Sequence, residues 1–186
     1  MKRLKLIIFI FPFLLFLNNA NAQEIKLHSI GVKGGIILPE GDWNTGYTVG
    51  VQVDMGEIIK ELYLVSSVNF MNSSKTITNY GISNDLSLAQ FTIGADLFGY
   101  SPVKPKNLYG GIGIYFHYIQ KDIAKLYNIS RDVQINSIDD NKLGFALLVG
   151  YLIDLKTTEI TLGSRYILAN DGYNAFLITL GVNLPF

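Results

Sequence analysis

The sequence predicts an all-β protein, an eight-stranded antiparallel up-and-down transmembrane β-barrel preceded by a cleaved signal peptide. Three observations carry this expectation. Eight segments of about ten or more residues alternate apolar with small or polar side chains, and period two belongs to an extended chain whose successive side chains leave on opposite faces. No apolar run after residue 22 is long enough to cross a bilayer as a helix, which needs roughly 20 residues. The chain also closes on an alternating strand whose last side chain is the aromatic ring of Phe186.

The first 22 residues read as a secretory leader. Lys2, Arg3 and Lys5 precede an apolar run from Leu6 to Leu17, and Ala20-Asn21-Ala22 supplies a small-x-small cleavage site. Pro12 and the shortness of the run argue against a membrane helix. Residues 23–186 are then the barrel domain. Fifteen basic and fifteen acidic residues balance over the whole sequence; the leader takes three basic ones with it, so the remainder carries a net charge of −3. No basic patch remains to hold nucleic acid. Cysteine is absent, so an exported fold must stand without disulfides or thiolate metal sites.

Taken in order, the first strand runs from about Leu27 to Leu38, with Ile30, Val32, Gly34 and Ile36 on one face; Pro39-Glu40-Gly41-Asp42 breaks it. The second, about Gly46 to Met55, alternates Tyr47, Val49, Val51, Val53 and Met55 with Thr48, Gly50, Gln52 and Asp54. The third, about Glu61 to Met71, keeps Leu62, Leu64, Val68 and Phe70 in phase with Ser66 as an exception, and the fourth, about Leu86 to Leu97, alternates Ala89, Phe91, Ile93, Ala95 and Leu97 with Gln90, Thr92, Gly94 and Asp96. The fifth, about Leu108 to Tyr118, sets Ile112, Ile114 and Phe116 against a glycine-rich second face suited to close packing. The sixth, about Leu143 to Ile153, the seventh, about Glu159 to Leu168, and the last, Tyr173 to Phe186, repeat the pattern. In the last strand Phe176, Ile178, Leu180, Val182, Leu184 and Phe186 form a uniformly apolar face.

An even count closes a barrel with both chain ends on one side. The connections about 39–45, 72–85, 119–142 and 169–173 then lie on the far side, and those about 56–60, 98–107 and 154–158 beside the termini. Ile77 and Val133-Gln134-Ile135 could extend strands or raise the count to ten. Aromatic residues cluster near segment ends: Trp43, Tyr47, Tyr118, Tyr173 and Phe176 at the far side, Phe98, Tyr100, Tyr109 and Phe186 at the near side. Rings of this kind favour the two membrane interfaces.

An eight-stranded barrel encloses a space its own side chains nearly fill. The inward positions hold Lys33, Gln52, Asp54, Gln90, Asp96, His117, Arg165 and Asn183. Unpaired charges in such a confined interior are costly, so Lys33 and Arg165 are expected to pair with Asp54, Asp96 or ordered water. A polar plug is the expected consequence, and a narrow path for ions or small solutes is the alternative. Catalysis needs a nucleophile with a base in reach. His28 and Ser29 are neighbours on a strand and point oppositely, and no Ser sits two positions after His117, so no catalytic residue and no cofactor site is assigned. Asp139-Asp140-Asn141 offers oxygen ligands but lacks the spacing of a calcium loop, so no metal site is assigned either. The segments Ser73 to Asn84 and Gln120 to Asn141, the second carrying Lys121, Lys125, Tyr127, Arg131 and Asp132, read as long loops where an unidentified surface partner would dock. A soluble ligand-carrying barrel would instead turn its apolar residues inward and leave charges outside.

The layout resembles the small outer-membrane β-barrel family of OmpA/OmpX type, the porin-family barrels of Bacteroidetes-type bacteria in particular. The resemblance is carried by the leader, by VKGGI at Val32 to Ile36, by YGGIGIYF at Tyr109 to Phe116 and by GVNLPF at Gly181 to Phe186. It implies the bacterial outer membrane as location, its lipid as partner, and recognition of the terminal strand by the barrel assembly machinery. It implies a structural or surface-interaction role, with a narrow channel, or less readily an enzyme acting on lipid A, as alternatives; a family of this kind fixes fold far better than activity.

Overall fold

A computed structural model of the chain describes residues 27–79, 82–122, 138–169 and 173–186. The leader and its cleavage site lie outside the described residues. Eight strands are present among them: β1 Ser29–Pro39, β2 Gly46–Ile59, β3 Leu62–Asn79, β4 Ile82–Tyr100, β5 Leu108–Asp122, β6 Ile138–Asp154, β7 Glu159–Ala169 and β8 Ala175–Pro185. Each pairs antiparallel with the next, and β8 returns to β1 through an unbroken register from Ser29↔Pro185 to Pro39↔Ala175, closing the sheet. Closure removes the free edges that an open sheet would present. The described strand count is eight, and Ile77 lengthens β3 rather than adding a strand; Val133 to Ile135 lie outside the described residues.

The alternation assigns the two faces as the sequence predicts. On the outside stand Val32, Val49, Phe91, Ile112, Leu147, Leu180 and their in-phase neighbours, with Val32 61% and Ile112 and Leu147 each 58% exposed. No Asp, Glu, Lys or Arg occupies an outward position from Leu108 to Tyr118 on β5 or from Leu143 to Ile153 on β6, and the other six strands repeat this over the same height. Along β5 that band covers about 33 Å at ~3.3 Å per residue, which a strand tilt of about 40° converts to a belt about 25 Å tall.

The far rim is uneven. The ladder between β3 and β4 runs without interruption to Asn79↔Ile82, and β5 stays paired with β4 up to Ser87↔Asp122 and with β6 up to Lys121↔Ile138. The expected loop at Ser73 to Asn84 is therefore mostly a continuous hairpin, a correction with a physical cause. Beyond Phe70 neither face is uniformly apolar, so hydrophobic periodicity vanishes while the backbone ladder continues. Gln120 and Asn141 likewise belong to β5 and β6, whereas Lys125, Tyr127, Arg131 and Asp132 lie outside the described residues. Two near-side turns are tight: Lys60 and Glu61 alone join β2 to β3, with Glu61 at φ 66°, and Lys156 takes φ 70° between β6 and β7, whereas residues 101–107 join β4 to β5.

On the low side of the rim the β1–β2 connection is clasped to the β7–β8 turn. The Glu40 carboxylate accepts hydrogen bonds from the Tyr166 hydroxyl and from Asn174 Nδ2 at 2.9 Å, while the Glu40 N–H donates to the Asn174 carbonyl at 2.8 Å. Lys75 on β3 holds Asp42 of the same connection at 2.9 Å. The Tyr166 hydrogen bond, then that of Asn174, holds the Glu40 carboxyl below its ordinary value of 4.5. A carboxylate whose folded value is depressed adds its full contribution above the unfolded value and loses it as the pH falls through the folded one. The Glu40 carboxyl, followed by NMR, should therefore titrate below 4.5, and Tyr166→Phe should raise that midpoint toward 4.5; an unmoved midpoint would remove the tyrosine from the clasp.

Candidate functional site

The chemistry-bearing side chains gather in the lumen, and they are layered along its axis. All eight predicted polar residues face inward. Lys33, Gln90, Asp96, His117 and Asn183 are buried, and Gln52, Asp54 and Arg165 are half-buried. The structure does not bring them all together.

At the waist, Asp96 on β4 is the centre of a charged clamp. Its Oδ2 accepts from Arg165 Nη2 on β7, and its Oδ1 accepts from the Tyr115 hydroxyl on β5. Arg165 Cζ lies 4.9 Å from the centroid of the Tyr115 ring, so the guanidinium is held by a carboxylate and an aromatic face together. Of the partners open to Arg165 from the sequence, the structure pairs it with Asp96. Asp54 is not its partner: Asp54 Oδ1 accepts from the Gly56 N–H at 2.7 Å near the terminal end. Lys33, near enough to feel the charges of both Arg165 and Asp96, makes no hydrogen bond or ion pair among the described residues.

Tyr115 is the residue that sequence reasoning did not single out. It is 1% exposed and fills the centre of the barrel. Its ring has room because two neighbours lack side chains: a Cβ on Gly94 would stand 2.3 Å from Tyr115 Cδ1, and one on Gly113 would stand 2.3 Å from Asp96 Oδ1 and 2.7 Å from Tyr115 Cε2. The register places Gly94 opposite Tyr115 and Gly113 opposite Asp96. A tyrosine two residues after Gly113 and across from Gly94 was therefore the available signal, a bulky ring facing glycines in a narrow lumen.

Around the clamp lies a polar tier. Asn69 Nδ2 donates to Ser67 Oγ at 3.3 Å and to Thr92 Oγ1 at 3.2 Å, and Gln52 Nε2 donates to Asn183 Oδ1 at 2.7 Å. His117 is 1% exposed, and its Nε2 has no hydrogen-bond partner among the described residues. His28 Nε2 contacts Glu159 Oε1 at 3.1 Å. Among the described residues no hydroxyl is hydrogen-bonded to either histidine, so neither has the arrangement that activates a nucleophile. Asp139, Asp140 and Asn141 lie on β6 rather than in a loop, and Asp140 pairs with Lys142 at 3.0 Å.

Toward the far end Ile37, Met71, Ala146, Ile167, Ala169, Ala175 and Leu177 form one apolar cluster with the Tyr115 ring, and Tyr173 packs against it. The polar filling of the lumen is thus interrupted by this cluster, while Thr48, Ser73, Gln90 and His117 remain buried polar residues on the same side of the waist. Both alternating sets are apolar in the far half of β1, β7 and β8, so composition hid which one turned inward. Toward the terminal end the lumen widens into a cavity of about 60 Å³, lined by Lys33, Gln52, Asp54, Asp96, Arg165 and Asn183 among others. One wall is aromatic: Tyr63 stacks on Phe98 at 5.7 Å, Tyr100 meets Tyr63 edge-on at 5.0 Å, and Tyr109 lies 5.0 Å from Phe98. Phe98, Tyr100 and Tyr109, expected at the membrane interface, line the inside of the mouth instead. Phe98 and Tyr100 share the parity of inward-facing Asp96, and Tyr109 that of Tyr115, so strand phase decides their direction over any interfacial preference.

Breaking the clamp from one side leaves a buried charge without its partner, which costs about 3–5 kcal/mol, whereas replacing both partners by apolar groups costs far less. Asp96→Leu and Arg165→Met should each lower the urea-unfolding free energy of the detergent-solubilised barrel by about that amount, and the double variant by much less than their sum. Additive losses would show that the two groups are not coupled.

No family model matches the chain, and no curated protein matches it. Among solved structures it is similar to Neisserial surface protein A, with a TM-score of 0.52 and 13% identity over 85% of this chain and 95% of that one. Weaker likenesses are the attachment invasion locus protein Ail of Yersinia pestis, solved with the heparin analogue sucrose octasulfate (TM-score 0.47, 15% identity, 86% of this chain and 97% of that one), and the NanC porin (0.28, 10%, 84% and 100%). The chain has the fold of the small eight-stranded outer-membrane β-barrels.

Proposed function

We propose that the protein is a structural or surface-interaction barrel of the bacterial outer membrane, its wall in lipid and its far rim presented to the environment. The supporting observation is the outer face. A charge-free apolar belt continuous over eight strands would far exceed the few hundred Å² of apolar patch that a soluble monomer tolerates. Its calculated height of about 25 Å matches the apolar band of such barrels. The soluble reading needs the opposite polarity, apolar inside and charged outside.

The lumen favours a plug over a channel. Tyr115, Arg165 and Asp96 bridge the waist, and an apolar cluster packs behind them. The rim supplies the surface role: β3 to β6 carry the wall past the belt as paired strands, a rigid base for the connections between them. The barrel assembly machinery is proposed to recognise β8 through Phe176, Ile178, Leu180, Val182 and Leu184, which all face outward, and through Phe186, which is 81% exposed. No cofactor and no catalytic activity is proposed.

Retention in the outer membrane after carbonate washing tests the location, and release by osmotic shock would reject it. At the belt's midplane, Leu147→Arg should destabilise the lipid-inserted barrel by about 2–4 kcal/mol, while Gln120→Arg above Tyr118 should cost no more than about 1 kcal/mol. Equal effects in urea unfolding from vesicles would remove lipid from the outer face. In planar bilayers the purified protein should be electrically silent; a steady unitary conductance that changes in Arg165→Gln would replace the plug with a pore.

A further inference from the structure

The cavity at the terminal end is lined by two cations, Lys33 and Arg165, and by three carboxylates, Asp54, Asp96 and Glu159. Two cations from opposite sides of the β8 strand, Lys33 on β1 and Arg165 on β7, reach its floor. The one carboxylate at that depth, Asp96, has one oxygen on the Tyr115 hydroxyl and the other on Arg165 Nη2. Lys33, 9% exposed, is left with no hydrogen-bond acceptor among the described residues, and Arg165 Nε is buried without one. The other two acids on the lining belong to a separate layer at the mouth: Glu159 contacts His28, and Asp54 takes the Gly56 N–H. A buried ammonium without an acceptor is costly, and a cavity of this size accommodates a few water-sized particles.

From the Lys33 ammonium and the Arg165 guanidinium lining one cavity, we propose that this cavity is a binding site for a small monovalent inorganic anion of halide size, held between these two groups. Tyr109, Thr161 and Asn183 on the same lining carry O–H or N–H groups that can complete its shell. The anion balances Lys33, leaving the Asp96 to Arg165 pair intact. It is a bound ion rather than a conducted one, because Tyr115 and the apolar cluster close the path beyond it. The site requires only the closed barrel, and stands whether or not the protein acts at the cell surface.

Bromide is the probe. Crystals of the full barrel grown in bromide should give an anomalous scattering peak in this cavity, in contact with Lys33 Nζ and the Arg165 guanidinium. In detergent, exchanging gluconate for bromide at constant ionic strength should raise the thermal midpoint, by an amount that grows with the logarithm of bromide concentration once the site is filled. Lys33→Met keeps the bulk of the stem and removes the ammonium, and should abolish that increment. If the variant fails to assemble, the wild-type diffraction peak and midpoint decide together. A cavity containing water alone overturns the proposal, as does a variant that keeps the wild-type dependence. A peak with no effect on the midpoint means an adventitious ion only, and overturns it too.

Discussion

The volume inside eight closed strands governs everything else in this molecule. The circumference of such a sheet leaves room for one layer of side chains meeting at the axis, so a large group pointing inward can be housed only where its neighbours give up theirs. Tyr115 shows the rule most directly, with Gly94 and Gly113 vacating the space its ring and Asp96 occupy, and His117 repeats it against Gly144, where a Cβ would stand 2.6 Å from Nε2. Gly94, Gly113 and Gly144 are thus placed by the bulk beside them. Because the space is narrow and closed, each polar group placed there must find its partner among the few side chains that share its level. That requirement produces the clamp at the waist.

The two halves of the lumen solve this problem differently. On the far side an aliphatic cluster packs around Tyr115, with Thr48, Ser73, Gln90 and His117 as buried polar exceptions. On the terminal side charged, hydroxylic and amide groups share the lining with Val65, Phe98, Leu148 and Leu152, and the lumen opens into a cavity. Tyr115 joins the halves, since its ring belongs to the apolar cluster and its hydroxyl to Asp96. A side chain with an apolar body and a polar tip suits such a boundary. The same division explains the closing of the low rim by Glu40, Tyr166 and Asn174, whose polar contacts lie above the aliphatic filling and within reach of water.

The strand count, the parity of every strand and the outward direction of the apolar belt were legible from period two, because outward-facing and lumen-facing residues differ sharply in the middle of the wall. Legibility failed where that contrast weakens. Beyond Phe70 and before Phe91 neither face is uniformly apolar, and so the hairpin arm read as a loop although its backbone remains paired. At Ile37, Ile167 and Leu177 both faces are apolar, and the alternation could not show the apolar cluster inside the lumen. Phe98, Tyr100 and Tyr109 failed for another reason: residue type was allowed to outrank phase. The ion pair of Arg165 with Asp96 joins strands three apart around the barrel, and neither register nor spacing along the chain distinguishes Asp96 from Asp54 as the partner.

The uneven rim bears on how such a closed wall could act on its surroundings. Nothing in the wall itself can move far, since each strand is hydrogen-bonded on both sides through the belt and rotation of any one would break two ladders. Above the belt the constraint relaxes unevenly: β7, β8, β1 and β2 stop near the clasp, while β3 to β6 continue as a sheet that shares one ladder with the barrel. A contact made at the top of that sheet is therefore transmitted to a rigid support and not absorbed by a hinge. Affinity at such a rim would owe little to ordering of the strands, which are already paired, and the entropic cost of recognition would fall on the connections between them.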